Sequence, residues 1–295
     1  MLDCKIDTSN WPTARNRTLY VCDLDGTLLN SSSQISDFTA TTLNALMAKG
    51  LWFTVATART PATVEPLLSE LHTNIPYIVM AGAAIWSHAT QEYVYTNPLR
   101  ADIVDKICSV CLKNGIRPFI YRRHGNKLGV HHFGDMSKQE EVFVEERMHL
   151  ELKKFYLDDA NYATGDDEAL LVLSINDFER LEYVYREVVK NVPCSSVCYH
   201  DIFDPSSAIF ETYAEGSSKA HAIKILARKI GSERIVVFGD NLNDLPMLEV
   251  ADYSVSPSNA VDELKDKVDE VIGSNDEDSV AKWIEADFAI NSQDK

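Results

Sequence analysis

Apolar residues near the start of the chain fall into short runs separated by helical patterns. The run Thr18–Leu24 (TLYVCDL) does not alternate with polar residues, which is typical of a strand buried on both faces of a parallel sheet. A helical pattern follows over Asp37–Lys49 and ends at Gly50, and a second strand is predicted over Leu51–Thr57. The order strand, helix, strand predicts a β-α-β unit.

Strands and helices continue to alternate on either side of a long central segment. Thr60 and Pro61 predict the start of a second helix, with Thr60 as N-cap, and Tyr77–Ile85 is predicted as a third strand. Further helices are predicted at 218–230, from 244 and at 279–288, and further strands at 234–240 and 253–255. This order predicts an α/β fold with a doubly wound, Rossmann-like parallel sheet.

The central segment has a different pattern. It predicts a helix at 101–114, a pair of strands around the turn Gly125-Asn126, a helical stretch from Ser137, and strands at 169–175 and near Val197 and Ile209. This mixture is typical of an α+β insertion. Because 295 residues are long for one compact unit, we expect a core domain of residues 1–97 and 214–295 and an inserted domain of residues 98–213.

Charge and composition narrow the class of partner. The chain has 28 basic and 45 acidic residues, for a net charge of −17, which disfavours nucleic acid and anionic membranes as partners. The N-terminal residues lack the apolar stretch of a signal peptide, and no apolar run is long enough to span a bilayer. We expect a cytoplasmic protein that binds neither nucleic acid nor membrane.

Six cysteines in a chain of this size favour reduced thiols over a disulfide framework. The pairs Cys108 with Cys111 and Cys194 with Cys198 have spacings that a zinc site tolerates. Cys108 and Cys111, however, lie in an apolar-periodic helix, where small buried side chains are the more common interpretation. The sequence therefore favours structural cysteines.

Acidic residues follow two of the predicted core strands. Asp23 and Asp25 end the first strand, and Gly26 allows a sharp turn after them. Asp240 and Asp244 follow a later apolar strand and lead into a helix. Because ligands collect at the carboxyl ends of strands in a doubly wound sheet, these four aspartates are expected to converge. Such a group of oxygen ligands suits Mg²⁺.

Two further polar residues are predicted at strand or helix ends of the same core. Thr57 ends the second strand, and Lys219 begins the helix that precedes Asp240. A hydroxyl and an ammonium are donors that a phosphoryl group in transfer needs, because its charge is spread over three oxygens. Separately each has an ordinary structural interpretation, but together they indicate phosphoryl chemistry.

These motifs resemble those of one enzyme family. In chain order they are DLDGTLL (23–29), AT (56–57), SK (218–219), GDNLNDLPML (239–248) and GSNDEDSVA (273–281). The set is similar to that of haloacid dehalogenase superfamily phosphatases, specifically the Cof-type branch (subclass IIB-like), whose inserted domain is an α/β cap. The resemblance covers all but about the first 17 residues and most of the inserted domain, where only the layout corresponds.

The resemblance implies a role for each matched residue. Asp23 is implied as the nucleophile that forms an aspartyl-phosphate, and Asp25 as the general acid and base. The implied phosphate-binding residues are Thr57, Ala58, Lys219 and Asn243. The implied Mg²⁺ ligands are Asp23, Asp25 through its backbone carbonyl, Asp240 and Asp244.

The sequence departs from the family pattern at three places. Ala58 and Ala220 replace glycines, which is a small change. Ala81 stands where relatives have asparagine, which removes a polar group near the expected substrate entrance.

Basic residues of the predicted cap are candidate substrate contacts. Arg122, Arg123 and His131 lie on the predicted hairpin with His124, Lys127 and His132, and Arg59 follows the second core strand. A solvated basic hairpin is the alternative, and alternation along a strand allows about half of these side chains to share a face.

The resemblance implies a small phosphorylated substrate: a sugar phosphate, a nucleotide or pyridoxal phosphate. Two other functions stay open from the sequence. A hexose-phosphate phosphomutase shares the aspartyl-phosphate step but retains the phosphoryl group. A non-catalytic phosphometabolite sensor would keep its cellular phenotype when Asp23 is replaced by asparagine.

Overall fold

The computed structural model describes residues 16–159, 168–200 and 207–291. The chain divides into two compact units. One contains the residues up to Tyr95 and from Ser218 onward, and the other contains Thr96–Ser217. The sequence-based division lies at 97/98 and 213/214, and the roles of the two units stay predictions.

The strands and helices follow one another in the order that the sequence patterns indicate, with several additional short elements. In chain order the strands are β1 (Thr18–Cys22), β2 (Trp52–Val55), β3 (Tyr77–Val79), β4 (Ala84–Ser87), β5 (Glu92–Thr96), β6 (Phe119–His124), β7 (Lys127–His131), β8 (Lys153–Tyr156), β9 (Ala169–Asn176), β10 (Cys194–His200), β11 (Ala208–Ala214), β12 (Arg234–Phe238), β13 (Tyr253–Pro257) and β14 (Glu270–Ile272). The helices are α1 (Asp37–Met47), α2 (Pro61–Leu67), α3 (Ala101–Lys113), α4 (Lys138–Glu145), α5 (Phe178–Asn191), α6 (Lys219–Ile230), α7 (Leu245–Leu248), α8 (Asp262–Lys265) and α9 (Ser279–Asn291).

The first unit is built on a five-stranded parallel sheet with the order β14-β13-β12-β1-β2. All five residues of β1 are buried. Val237 of β12 packs in the cluster that contains α6, whereas the next residue, Phe238, meets Trp283 of α9 edge-on. Helices therefore cover both faces of the sheet, which confirms the predicted doubly wound α/β class.

The segment after β2 corrects one prediction. Tyr77–Ile85 is not a single strand, because Met80, Ala81 and Gly82 have φ angles of 52°, 52° and 89° and turn the chain. The result is two antiparallel strands, β3 and β4, which form a small sheet with β5. An apolar run without polar breaks hides such a turn from pattern analysis.

The second unit is built on a six-stranded sheet with the order β10-β11-β9-β6-β7-β8. Its strand pairs are antiparallel except for β7 with β8. Ile120 packs in the cluster that contains α3 and α5, whereas its neighbour Phe119 contacts Phe143 of α4. The mixture of helices and antiparallel strands is the α+β insertion that the sequence predicts.

The described cysteines have the structural character that the sequence favours. Cys108 and Cys111 are buried in the second unit's core, and burial raises the pKa of both thiols to about 12. Cys194 and Cys198 pack against that core. Across the described parts of the chain, no group of three or more close metal-ligating side chains includes a cysteine. Cys4 lies outside the described residues.

Candidate active site

Two neighbouring strands carry the first acidic residues to the same edge of the parallel sheet. Strands β1 and β12 pair in parallel with Cys22 opposite Phe238, the last residue of each. The N–H of Asp23 donates to the carbonyl of Phe238 at 2.9 Å. Asp23 and Asp240 therefore lie just beyond the carboxyl ends of adjacent strands, at the same edge of the sheet, as the sequence predicts.

The turn after Asp23 approaches Asp240 closely. Gly26 has a φ of +79°, and a Cβ atom there would lie 2.5 Å from Oδ2 of Asp240. Thr27 Oγ1 donates to Asp240 Oδ1 at 2.9 Å. Glycine is thus required both for the left-handed backbone and for the space that Asp240 occupies.

Three carboxylates form the acidic centre of the site. Oxygens of Asp23, Asp240 and Asp244 lie within 4.8 Å of one another. Burial raises the pKa of Asp240 to about 6, and the charge of Asp244 acts in the same direction. Burial also raises the pKa of Asp23, although the charge of Lys219 opposes that effect. Burying like charges together is costly unless a cation neutralises them.

Lys219 supplies part of that neutralisation. Its Nζ atom donates to Asp23 Oδ1 at 2.5 Å and to Asp244 Oδ1 at 2.7 Å, and its side chain is only 4% exposed. Ser218 caps α6 by accepting from the N–H of His221, which places Lys219 in the first helical turn. A cation is unfavourable at a helix N-terminus. Here the two carboxylates offset that cost and raise the pKa of the ammonium despite its burial.

The donor set fits a divalent cation. When ionised, the three carboxylates and the single ammonium leave an excess of two negative charges in a buried site. Oxygen ligands are those that Mg²⁺ prefers. The three carboxylates could therefore hold a metal ion.

Asp244 also organises the loop after β12. It is fully buried, and its Oδ2 atom accepts from the N–H groups of Asp240 at 3.1 Å and Asn241 at 3.3 Å. With the bond from Lys219, both of its oxygens have protein donors. Asp244 thus fixes the position of Asp240 and of the lysine.

Asp25 lies apart from the three-carboxylate group. Arg59 donates to both of its oxygens, Nε to Oδ2 and Nη2 to Oδ1, each at 2.7 Å. This fork-to-fork pair is partly exposed, with side-chain accessibilities of 27% for Arg59 and 41% for Asp25. The structure therefore places Arg59, predicted as a substrate contact, on the carboxylate predicted as the general acid.

The remaining predicted phosphate-binding residues differ in exposure. Thr57 is buried after β2, and its hydroxyl accepts from the N–H of Arg59 at 3.1 Å. Ala58 follows it at the same sheet edge. Asn243 is exposed in the short helical turn before α7.

Two positions that sequence analysis missed help to shape the site. A Cβ atom at Gly82 would lie 2.1 Å from the carbonyl oxygen of Ser218, so the turn after β3 touches the backbone that carries Lys219. Asn259 Nδ2 donates to the carbonyl of Gly26 at 2.8 Å. Asn259 follows β13, another strand of the same sheet, so its position after a strand was a usable signal. Gly82 carried no such signal.

The predicted substrate residues of the second unit lie on the β6–β7 hairpin. Arg122 is buried, Arg123 pairs with Glu168 at 2.8 Å, and His131 contacts Asp159 at 2.8 Å. Contact with a substrate stays a prediction for these residues. Among the helices of the described ranges, none has the length and apolar character needed to cross a bilayer.

Comparison with known proteins assigns the family. The sequence matches the haloacid dehalogenase-like hydrolase family over residues 20–284. The chain is 27% identical over 268 residues to the Bacillus subtilis 5-amino-6-(5-phospho-D-ribitylamino)uracil phosphatase YcsE, covering 90% of this chain and 94% of that protein. It is 27% identical over 284 residues to YwtE of the same organism, which is named as a phosphatase of the same compound, covering 89% of this chain and 95% of that protein.

A solved structure agrees with this assignment. A haloacid dehalogenase-like hydrolase from Bacteroides thetaiotaomicron superimposes with a TM-score of 0.73 at 25% identity, covering 91% of this chain and 98% of that one. The family match spans the strand ends that carry Asp23 and Asp240 and the helix start that carries Lys219. The protein is thus an enzyme that belongs to the haloacid dehalogenase-like hydrolases, as its motifs predict.

Proposed function

We propose that this protein is a magnesium-dependent phosphatase that hydrolyses small phosphomonoesters through an aspartyl-phosphate on Asp23. The observation that carries the proposal is the buried bridge from Lys219 to Asp23 and Asp244 beside Asp240. In this bridge an oxygen of Asp23 lies next to the ammonium of Lys219. The three carboxylates together keep an excess of negative charge, which a divalent metal ion would compensate. The relatives named as phosphatases support the same reaction class.

In the first proposed step, an Asp23 carboxylate oxygen attacks phosphorus, and the bond from phosphorus to the ester oxygen breaks. Asp25, released by Arg59 and carrying a proton taken from solvent, gives that proton to the departing alkoxide, which leaves as an alcohol. In the second step, Asp25 takes a proton from water, the water oxygen attacks phosphorus, and the bond to Asp23 breaks. Inorganic phosphate is released and both aspartates return to their starting states.

The surrounding residues would stabilise the charge on the phosphoryl oxygens. Lys219 offers an ammonium, Thr57 a hydroxyl, Ala58 a backbone N–H and Asn243 an amide. Mg²⁺, held by Asp23, Asp240, Asp244 and the backbone carbonyl of Asp25, would supply Lewis-acid stabilisation of the phosphoryl charge. Arg59 would hold Asp25 until a substrate competes for the carboxylate.

The substrate classes are those implied by the family: sugar phosphates, nucleotides and pyridoxal phosphate. The names of two relatives add 5-amino-6-(5-phospho-D-ribitylamino)uracil to the candidates. The small-molecule partner, the cytoplasmic location and the specificity role of the unit Thr96–Ser217 belong to the same proposal.

A phosphomonoester panel tests the proposal. We expect inorganic phosphate release in Mg²⁺, loss of release in chelator, and loss in Asp23→Asn with retained circular dichroism. The exposed Asp105→Asn substitution is the matched control and leaves turnover unchanged. In Asp25→Asn, which lacks the proton donor and base, intact mass is expected to show a phosphoryl adduct that decays slowly.

Three outcomes would contradict it. No phosphate from any ester in Mg²⁺ would exclude a phosphatase acting on the tested classes. Isomerised hexose phosphate without free phosphate would indicate a phosphomutase instead. Full turnover by Asp23→Asn would exclude Asp23 as the nucleophile.

A further inference from the structure

Two histidines of the β6–β7 hairpin converge outside the acidic centre. His124 Nε2 and His131 Nε2 are 3.3 Å apart. Gly129 lies between them, because a Cβ atom built on it would be 2.8 Å from the Nε2 atom of each ring. A side chain at position 129 would thus occupy the space beside both nitrogens.

His131 is held in one orientation by its neighbours. Its Nδ1 atom is 2.8 Å from Oδ2 of Asp159, and its ring stacks on Tyr156 at a centroid distance of 4.7 Å and an interplanar angle of 8°. Burial lowers the pKa of His131, which favours the neutral ring. A neutral ring that donates from Nδ1 to the carboxylate carries its lone pair on Nε2, the atom that lies 3.3 Å from Nε2 of His124.

The distance between the two Nε2 atoms matches a metal-bound pair. Zinc–nitrogen bonds of about 2.0–2.1 Å at a tetrahedral angle separate two imidazole nitrogens by about 3.3–3.4 Å. The contact from Asp159 to Nδ1 of His131 is the carboxylate–histidine arrangement that orients metal ligands in many proteins.

We propose that His124 and His131 form a two-histidine site for a transition-metal ion of the Zn²⁺ type. Asp159 is a positioning residue that acts through His131. Imidazole nitrogens favour Zn²⁺, Ni²⁺ and Cu²⁺ over Mg²⁺. The site therefore differs in metal preference from the three-carboxylate group and does not depend on the function proposed for it.

Zinc titration of the full chain by calorimetry, in millimolar Mg²⁺ to occupy the carboxylate group, tests this site. We expect the wild-type protein to bind one Zn²⁺ more than His124→Gln or His131→Gln, and Co²⁺ to give visible absorption bands only when both histidines are present. His149→Gln, an exposed histidine of the same unit, is the matched control and keeps the site.

Two further variants separate metal binding from folding. Gly129→Ala leaves both ligands in place but fills the space between them, so we expect zinc binding to fall at least tenfold. Asp159→Asn is expected to weaken it by about 10- to 100-fold. Circular dichroism confirms that each metal-free variant is folded. Equal zinc stoichiometry in the wild-type protein and the two histidine variants, or no zinc binding by the wild type, would overturn the proposal and leave a histidine–histidine hydrogen bond.

Discussion

Arg59 and Asp25 are paired through two hydrogen bonds of 2.7 Å, so both oxygens of the proposed general acid are held by one guanidinium. Bidentate pairing fixes the carboxylate in orientation as well as in position. The close group of carboxylates consists of Asp23, Asp240 and Asp244 and does not include Asp25. The two aspartates of one short motif therefore hydrogen-bond to different cations, the ammonium of Lys219 for Asp23 and the guanidinium of Arg59 for Asp25.

Replacing Arg59 by lysine tests whether it acts through Asp25. Lysine keeps the charge but loses the planar fork, so we expect kcat to fall by about tenfold with KM nearly unchanged. Steady-state kinetics on the best phosphomonoester measure both constants, and Arg186→Lys, on an exposed ion pair, is the control. A raised KM with an unchanged kcat would support the contact with substrate that the sequence predicts for Arg59.

Lys219→Met removes the cation between Asp23 and Asp244. Because the carboxylates are then buried without compensation, we expect a loss of about 3–5 kcal/mol in the free energy of unfolding. Added Mg²⁺ should recover part of this loss if the carboxylates bind it. Urea unfolding with and without Mg²⁺ measures both effects, and Lys224→Met on the exposed face of α6 is the control. Equal stability of the two variants would contradict the charge argument.

Gly82→Ala is expected to reduce stability strongly, because the new Cβ atom would clash with backbone atoms and not with a flexible side chain. The carbonyl carbon of Ser218 would be 2.4 Å away and the amide nitrogen of Lys219 2.8 Å away. We expect a loss of more than about 3 kcal/mol in stability or a displaced Lys219 with little turnover. Gly125→Ala has a similarly positive φ and no atom within 4 Å, so it should lose only about 1 kcal/mol. Thermal unfolding and turnover of both variants separate the effect of the steric clash at Gly82 from the cost of an alanine in the left-handed region.

Glu211 makes the stability of the second unit depend on pH. Burial raises its pKa from 4.5 to about 7, although bonds from Tyr213 and Tyr199 act in the opposite direction. Below pH 4.5 the carboxyl is protonated in both the folded and unfolded states, and stability is highest. As pH rises towards 7 the unfolded state ionises first, so stability is progressively lost.

Glu211→Gln removes this pH-dependent cost. We expect the variant to be more stable than the wild type by about 1–3 kcal/mol at pH 8 and nearly equal at about pH 3.5. Hydrogen exchange of the β9 and β11 amides at both pH values reports on this unit. The exposed Glu151→Gln substitution should show no such pH dependence. A gain that is the same at both pH values would contradict ionisation as the cause.

The parallel sheet and its acidic edge were predictable because both depend on local patterns. An apolar run without alternation identifies β1, and a carboxylate immediately after such a run must lie at the strand's end. The pairing of β1 with β12 then brings Asp23 and Asp240 to one level. The break inside Tyr77–Ile85 was missed because its turn is made of apolar residues in the left-handed region.

The amino-acid sequence by itself determined the fold class, the order of the main core elements and the strand ends at which the reactive side chains lie. Tertiary structure decided which side chains meet. Periodicity shows which face of a strand or helix a residue occupies. It does not show which side chain that residue meets. Arg59 is 34 residues from Asp25, and their contact depends on how the strands pair and which rotamers the side chains adopt. The same holds for Lys219 between two aspartates, whose contacts arise only when separate strand and helix ends are brought together.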